Sequence, residues 1–471
     1  MSLRPIITIC GTTGVGKSRL AIELATYLNK NAPIAGWKGA KIINADAMQV
    51  YKGLDIITNK VPENERQGID HLLLGFKDPG EQYVVGDWVK DASNLIGELH
   101  RSHQLPIVVG GTSYWIQHLL FPNRLLTKPE EPKPAASAQI PVLQSEQIAK
   151  SIQSLPPDLL DLFNHLPEVP PSAKSDPDEA FKLHQLLSLL DPIISRRWHW
   201  KDTRKVLRSL AIVKETGRCP SEIISEQSHD DRETQPRFKA LSFWLYADSE
   251  VLGERLDSRV DDMISQGLLD EIRCLRDIAT TEHASPSLDF TLGIYQSIGY
   301  REFCAYLDAP SDSTFREAEE RMKISTRQYA KRQVSWLRNK LIPAIDAANA
   351  TEIQTPLYIL DATGNKWDDN VQMPAQNILN AFLNGDPIPE PKTLSATAQK
   401  MLTIKNKSVN PQQVLEARTK KICTVCTLQP DRPVMIEEGE EWKMHERTKV
   451  HRKLMARQSS QYYKAGNQKL E

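Results

Sequence analysis

The run Gly11-Thr12-Thr13-Gly14-Val15-Gly16-Lys17-Ser18 fits the phosphate-loop pattern G-x-x-x-x-G-K-S/T, and it constrains this chain more than any other feature. Glycines let the backbone turn so that successive amide N–H groups face one anion. The helix that follows adds the positive end of its dipole, Lys17 supplies a mobile cation, and the Ser18 hydroxyl can ligate Mg²⁺. Ile6 to Cys10 is a β-rich run leading into this loop, and Ser18 to Leu28 has helical periodicity. Lys41 to Asn44 and Pro106 to Val109 are further strand candidates. Such alternation predicts an α/β fold, a P-loop NTPase-like parallel sheet flanked by helices, with ligands at the carboxyl ends of the strands. A diphosphate or triphosphate site follows from the loop; the rest of that compound does not.

No apolar run ends in Asp where an ordinary P-loop kinase or ATPase would hold its Mg²⁺ through that carboxylate. Ile107-Val108-Val109 runs into Gly110-Gly111-Thr112 rather than into an Asp that would hold Mg²⁺. The prominent acid instead follows the second strand, in Asn44-Ala45-Asp46-Ala47-Met48-Gln49-Val50-Tyr51. In a parallel sheet that position shares a rim with the phosphate loop, so Asp46 can reach a substrate whose phosphates rest on Gly11 to Ser18.

Lys plus Arg number 59 against 60 for Asp plus Glu, so any attraction for polyanions must come from local patches. Three stand out. Arg321 to Lys340 carries seven basic residues and no acid, while Arg196 to Arg208 and Trp442 to Arg457 each carry six against one. Six scattered cysteines form no disulfide framework and point to a reducing compartment. Apolar stretches fall short of the roughly 20 residues of a membrane span, so the cytoplasm is the expected location, with mitochondrial or nuclear fractions left open.

Five prolines between Pro122 and Ser145 argue for an extended insertion, and helical patterns resume after it: Asp178 to Leu190, Asp202 to Glu215, Glu250 to Arg276 and a long basic helix from Glu317 to Leu341. The domain plan read from these shifts has a first part of the core at 1–122 and a mostly helical insertion at 123–200. The rest of the core and its basic helices take 201–365, a linker 366–417, a small basic module 418–458 and a tail 459–471. In that module Cys423-x2-Cys426, eighteen further residues, and His445-x5-His451 supply two thiolates and two imidazoles, a Cys2His2 set suited to structural Zn²⁺. Its internal gap exceeds the roughly twelve residues of a DNA-reading finger, and it resembles the matrin or U1 type of finger associated with RNA.

Seven ordered segments from Ile6 to Arg338 resemble the tRNA dimethylallyltransferases (isopentenyltransferases): GTTGVGKS, NADAMQVYKGLDI from Asn44, HLLLGFKDP from His71, VVGGTSYW from Val108, DTRKVLRSL from Asp202, QSIGYRE from Gln296 and TRQYAKRQVSWLR from Thr326. Ala47 stands where many bacterial members have Ser, and Gln296 where many have Arg, as in the eukaryotic branch. The resemblance implies transfer of a dimethylallyl group from dimethylallyl diphosphate to the exocyclic N6 of an adenosine in a tRNA anticodon loop, by a monomer requiring Mg²⁺. Asp46 would be the general base, and Thr112 would hydrogen-bond the amine or the leaving oxygen. Gly11 to Ser18 would hold the diphosphate. Asp46, Ala47, Met48, Gln49, Arg204, Lys205, Val206, Leu207, Arg208, Gln296, Arg327, Lys331 and Arg332 would contact tRNA, with the target base extruded from its stack, and the insertion domain would take part in binding. Two other readings compete: a prenyltransferase or kinase acting on free adenine nucleotides, and a non-catalytic RNA-binding adaptor whose P-loop only senses nucleotide.

Overall fold

The structure is a computed structural model that describes residues 3–122, 146–229, 235–282, 293–349, 355–403 and 419–467. They fall into two compact units, Met1–Leu125 with Thr234–Asn406, and Leu126–Glu233 with Lys407–Glu471.

The first unit is built on six parallel strands: β1 (Pro5–Gly11), β2 (Gly39–Asn44), β3 (His71–Leu72), β4 (Gln104–Val109), β5 (Lys239–Tyr246) and β6 (Leu357–Asp361), in the order β3-β2-β4-β1-β5-β6. Ile7 sits opposite Ile107 and Leu241, which fixes β1 at the centre. Side chains alternate across a strand, and here both faces are apolar because helices cover both. On one face Ile6, Ile43, Val108 and Trp244 meet Trp88 and Ile96 of α2 (Val85–Arg101) and Ile116 of α3 (Ser113–Leu120). On the other, Ile9, Ile42, Val109 and Phe243 meet Leu20 and Leu24 of α1 (Lys17–Lys30). Each large side chain buried in this way contributes roughly 1.5–3 kcal/mol. Among the described residues no helix is long and apolar enough to cross a membrane.

The second unit carries the helices α4 (Glu146–Gln153), α5 (Pro157–Asn164), α6 (Pro177–Leu190), α7 (Pro192–Ser195), α8 (Thr203–Thr216) and α9 (Pro220–His229) around an apolar centre that includes Phe163, Leu187, Val206 and Leu210. It also contains the C-terminal module. The Pro-rich stretch 123–145 lies outside the described residues.

Back in the first unit, the helical pattern from Glu250 to Arg276 is two helices, α10 (Ser249–Ser265) and α11 (Leu268–Glu282). Gly267 takes φ +104° between them, a conformation that L side chains rarely adopt, and so ends the first. After α12 (Tyr300–Asp308) comes the expected basic helix, α13 (Asp312–Trp336), which continues through one π turn at Leu337–Leu341 into α14 (Ile342–Ala348). Residues 366–403, read as linker, instead hold α15 (Met373–Asn384) and α16 (Ala396–Leu402). Leu379 and Phe382 pack on one face of the sheet, Met401 and Leu402 on the other. The DPIPEP segment ends a helix without ending the domain, and the remainder of the expected linker, from 404, lies outside the described residues.

The terminal module is a hairpin of β7 (Lys420–Ile422) and β8 (Met435–Glu437) followed by α17 (Glu440–Glu446) and α18 (Lys449–Asn467). The last helix extends through the first part of the expected tail.

Candidate active site

Sheet order places three strand exits side by side, and each delivers one part of the site. β1 gives the phosphate loop, β2 gives Asp46, and β4 gives Gly110, Gly111 and Thr112. Gly110 has no room for a side chain, since a Cβ there would lie 2.1 Å from the carbonyl carbon and oxygen of Ala45. That close pass draws the β4 exit onto the β2 exit, where Thr112 N–H donates to the Ala45 carbonyl at 3.2 Å and Ala47 N–H donates to the Thr112 hydroxyl at 3.0 Å. The hydroxyl proton of Thr112 therefore remains available to donate.

Asp46 is held by its own turn. Its N–H donates to Asn44 Oδ1 at 3.1 Å, and its Oδ1 accepts from Met48 N–H at 3.0 Å. Asn44 is buried and anchored in turn through its Nδ2 to the carbonyls of Asp46 and Leu73, while Trp88 Nε1 donates to the Asn44 carbonyl. Asp46 Oδ2 points toward Gly111, 2.9 Å from where a Cβ would stand.

Across from it the phosphate loop turns on Gly14 and Gly16, at φ +80° and +91°. Lys17 Nζ donates to the Thr12 carbonyl at 2.6 Å. Desolvation by its surroundings pulls the Lys17 ammonium down to about 8, with Arg259 adding to the fall and Asp46 opposing it. Arg259 of α10 donates to Thr13 Oγ1 at 3.0 Å, and desolvation lowers it to about 10 against the pull of Asp46. Lys17 and Arg259 thus carry charge toward the same carboxylate.

Thr13, Gly14, Gly16, Lys17, Ser18, Asp46, Gln49, Gly110, Gly111 and Arg259 line one cavity of about 230 Å³. Phosphate cradle and carboxylate share that space, as the strand order requires. His71, also on its wall, donates its Nδ1–H to the Ile69 carbonyl at 2.8 Å. Gln49 Nε2 donates to the carbonyls of Thr58 and Asn59, which line the same cavity.

Other expected site residues scatter. Met48 rests its sulfur 3.5 Å from the Ser297 hydroxyl, and Gln296 is exposed, its Nε2 turned back to the Gly293 carbonyl. Arg327 is ion-paired with Asp257 and Glu320, whereas Lys331 and Arg332 are exposed on α13. In the second unit, Arg204, Lys205 and Arg208 face solvent on α8; Lys205 pairs with Asp202 at 2.5 Å and lies 4.9 Å over the Trp198 ring. Val206 and Leu207 do not join them, being 0% and 8% exposed in the apolar centre, so their side chains hold the helix rather than present a surface.

Three side chains were missed by reading the motifs for charge. Gln333, 5% exposed, accepts from Thr13 N–H and donates to the Gly111 carbonyl, both at 2.9 Å. Tyr329 lies one turn before it, its hydroxyl pushed up by burial and by Asp46. Both share the inward stripe of α13 with Ala330, at the i, i+3, i+4 spacing that marks a buried face. Arg259 had no such signal, because its place depends on the packing of α10.

At the C-terminal module the four expected ligands converge. Cys423 Sγ and Cys426 Sγ lie 3.4 and 3.5 Å from His451 Nδ1, which is 3.2 Å from His445 Nε2. All four donor atoms fall within 4.8 Å of one another, a spread that one tetrahedral ion accommodates.

Fold and site together define a P-loop protein whose anion cradle faces a carboxylate from the neighbouring strand exit. The family model for IPP transferases matches residues 49–340. The tRNA dimethylallyltransferase of Schizosaccharomyces pombe is 36% identical over 460 residues, covering 97% of this chain and 96% of that protein. The human tRNA dimethylallyltransferase is 32% identical, covering 95% and 85%, and that of Bacillus subtilis 31%, covering 72% and 89%. A solved structure of a eukaryotic dimethylallyltransferase acting on tRNA superposes with a TM-score of 0.72 at 32% identity, covering 99% of this chain and all of that one. The chain belongs to the IPP transferase family.

Proposed function

We propose that this protein transfers a dimethylallyl group from dimethylallyl diphosphate to the N6 amine of an adenosine in the anticodon loop of a tRNA. One observation carries the chemistry: the Asp46 carboxylate and the Gly11–Ser18 cradle open onto a single cavity. The diphosphate rests on the loop amides, with Lys17 and Arg259 facing its charge. An exocyclic adenine amine is a weak nucleophile, so as its nitrogen bonds the allylic carbon, Asp46 Oδ2 takes the departing proton and the carbon–oxygen bond to diphosphate breaks. Thr112, with a free hydroxyl proton, donates to the amine or to the leaving oxygen. Negative charge that develops on diphosphate is met by dipoles and cations already in place, which is where most of the rate is gained.

Ser18, on the wall of this cavity, would hold Mg²⁺ through its hydroxyl, and the ion would supply charge that neutralises the diphosphate. The thiolates and imidazoles of Cys423, Cys426, His445 and His451 suit Zn²⁺ in a structural role. Lys331 and Arg332 on α13, and Arg204, Lys205 and Arg208 on α8, offer cations for RNA phosphates.

Labelled dimethylallyl diphosphate supplied with either tRNA or AMP tests the proposal. Label on tRNA supports it. Label on AMP alone favours a free-nucleotide enzyme, and label on neither, with RNA still bound, favours an adaptor.

A further inference from the structure

The C-terminal module is seated on the helical unit rather than hung beside it. Lys420 N–H donates to the Arg196 carbonyl at 2.7 Å, so the hairpin strand β7 is tied to the segment that follows α7. Trp200 Nε1 donates to the Pro433 carbonyl at 2.9 Å, and the Trp200 ring, 2% exposed, is packed with Met435 of β8 and Ala180 of α6. Phe181 meets that ring edge-on at 6.1 Å, and Arg432 reaches Asp178 at 3.7 Å. Pro433 and Met435 lie between the cysteine pair and the histidine pair of the metal set, so the loop that grips Trp200 is closed at both ends by ligands.

On its other side, Trp200 sits three residues before α8. The segment 196–202 also carries Trp198, over whose ring Arg197 lies at 5.1 Å and Lys205 at 4.9 Å, and Asp202, which pairs with Lys205. The same short segment thus holds the module at one end and the basic turn of α8 at the other.

We propose that Trp200 is a positioning residue through which the metal-bound module sets the orientation of Arg204, Lys205 and Arg208. The module then serves RNA binding by stiffening a neighbouring surface, and this inference rests on the reading that the chain acts on tRNA. Metal binding holds the loop containing Pro433 and Met435; that loop fixes Trp200, and Trp200 fixes the start of α8. A preordered cationic surface loses less conformational freedom when RNA arrives.

Hydrogen exchange on the full metal-loaded chain, without RNA, gives the first test. Removal of the ion with a chelator raises exchange across residues 196–208 as well as in the module, while α2 and α10 in the other unit stay unchanged. Exchange unaltered at 196–208 overturns the coupling whether or not the enzyme modifies tRNA, which separates this outcome from failure of the functional reading.

Kinetics give the second. Trp200→Leu keeps an apolar group but removes the N–H, and Met435→Ser opens the same seam from the module side. Each raises KM for tRNA about tenfold, with kcat at saturating tRNA and KM for dimethylallyl diphosphate within about twofold of the parent. Trp200→Phe, which keeps an aromatic ring, restores part of the loss. Trp200→Leu added to Arg204→Ala costs less than the product of the two single effects, because both act through one surface. Effects that multiply, or an unchanged KM for tRNA, overturn the proposal.

Discussion

Gln333 bonds the Thr13 amide and, with the other end of the same carboxamide, the Gly111 carbonyl, each at 2.9 Å. One side chain from α13 therefore spans the phosphate loop and the β4 exit, and it sets the gap between the cradle and the Asp46 carboxylate. Gln333→Leu keeps much of the volume but leaves a loop amide and a carbonyl without partners. Unmade bonds at such depth cost about 1–3 kcal/mol, so kcat/KM for dimethylallyl diphosphate is expected to fall about 10- to 100-fold with the fold intact by circular dichroism. Parent-like kinetics in a folded variant would remove the strap from the mechanism.

Asp46 has a different signature. Its carboxylate is oriented by Met48 N–H and by the anchored Asn44, and its Oδ2 lies beside Gly111. Asp46→Ala is expected to lower the single-turnover rate by about 100-fold or more, the range of general-base contributions, while Kd for tRNA stays within a few-fold. A variant with near-normal single-turnover rate would transfer the proton-accepting role to another group.

In the proposed reaction Lys17 would tie diphosphate affinity to pH. Its ammonium lies at about 8 in the free protein rather than 10.5, chiefly through desolvation. Below about pH 8 the charge is already present; above it, a proton must be taken up when the anion binds. Affinity for inorganic pyrophosphate is therefore expected to fall toward tenfold per pH unit above that point, and Lys17→Arg, which stays charged, removes that part of the dependence. Stability runs the other way. Between about pH 8 and 10.5 the unfolded chain holds more protons at this lysine than the folded one, so its contribution to stability rises with pH across that window. Isothermal titration across pH 7 to 9.5 would decide the binding claim, and a flat profile for the parent would refute it.

What was legible in the sequence was local. Glycine spacing specifies the loop at residues 11–18, apolar runs specify β1, β2 and β4, and the four candidate metal ligands carry a spacing that is itself chemical information. The rim shared by Asp46 and the loop followed from parallel topology alone. Arg259 was not legible in this way, because it acts through a partner more than two hundred residues away and nothing in the local pattern announces it; the periodicity of α13 marks Gln333 as buried but does not tell which distant groups it bonds. Charge was a poor guide on α13, where Arg327 is spent on Asp257 while the neutral Gln333 reaches the site. Val206 and Leu207 show the same fault in reverse: a motif read as a block hides that its members point to opposite faces of a helix. The segment at 366–403 was misread because a proline-rich stretch after α15 looks like a boundary, whereas the helices on either side of it are held by tertiary packing against both faces of the sheet.

Gly110 supplies a test of the geometry that involves no chemistry at all. A Cβ there would stand 2.1 Å from the Ala45 backbone, which is no flexible side-chain tip but the exit of β2 itself. Gly110→Ala must push β4 and β2 apart at the point where Asp46 and Thr112 leave the sheet. Overpacking of this kind costs about 1–3 kcal/mol, occasionally more, so a fall in Tm is expected together with loss of activity exceeding what instability explains at 25 °C. Gly86, within α2, is the control: nothing lies within 4 Å of a Cβ at that position and its φ is ordinary. Gly86→Ala should therefore stabilise the chain by about 0.5–1 kcal/mol, through the smaller entropy of the unfolded state, and leave kcat unchanged. If Gly110→Ala melts with the parent and turns over normally, the two strand exits are not pressed together at Gly110 and Ala45.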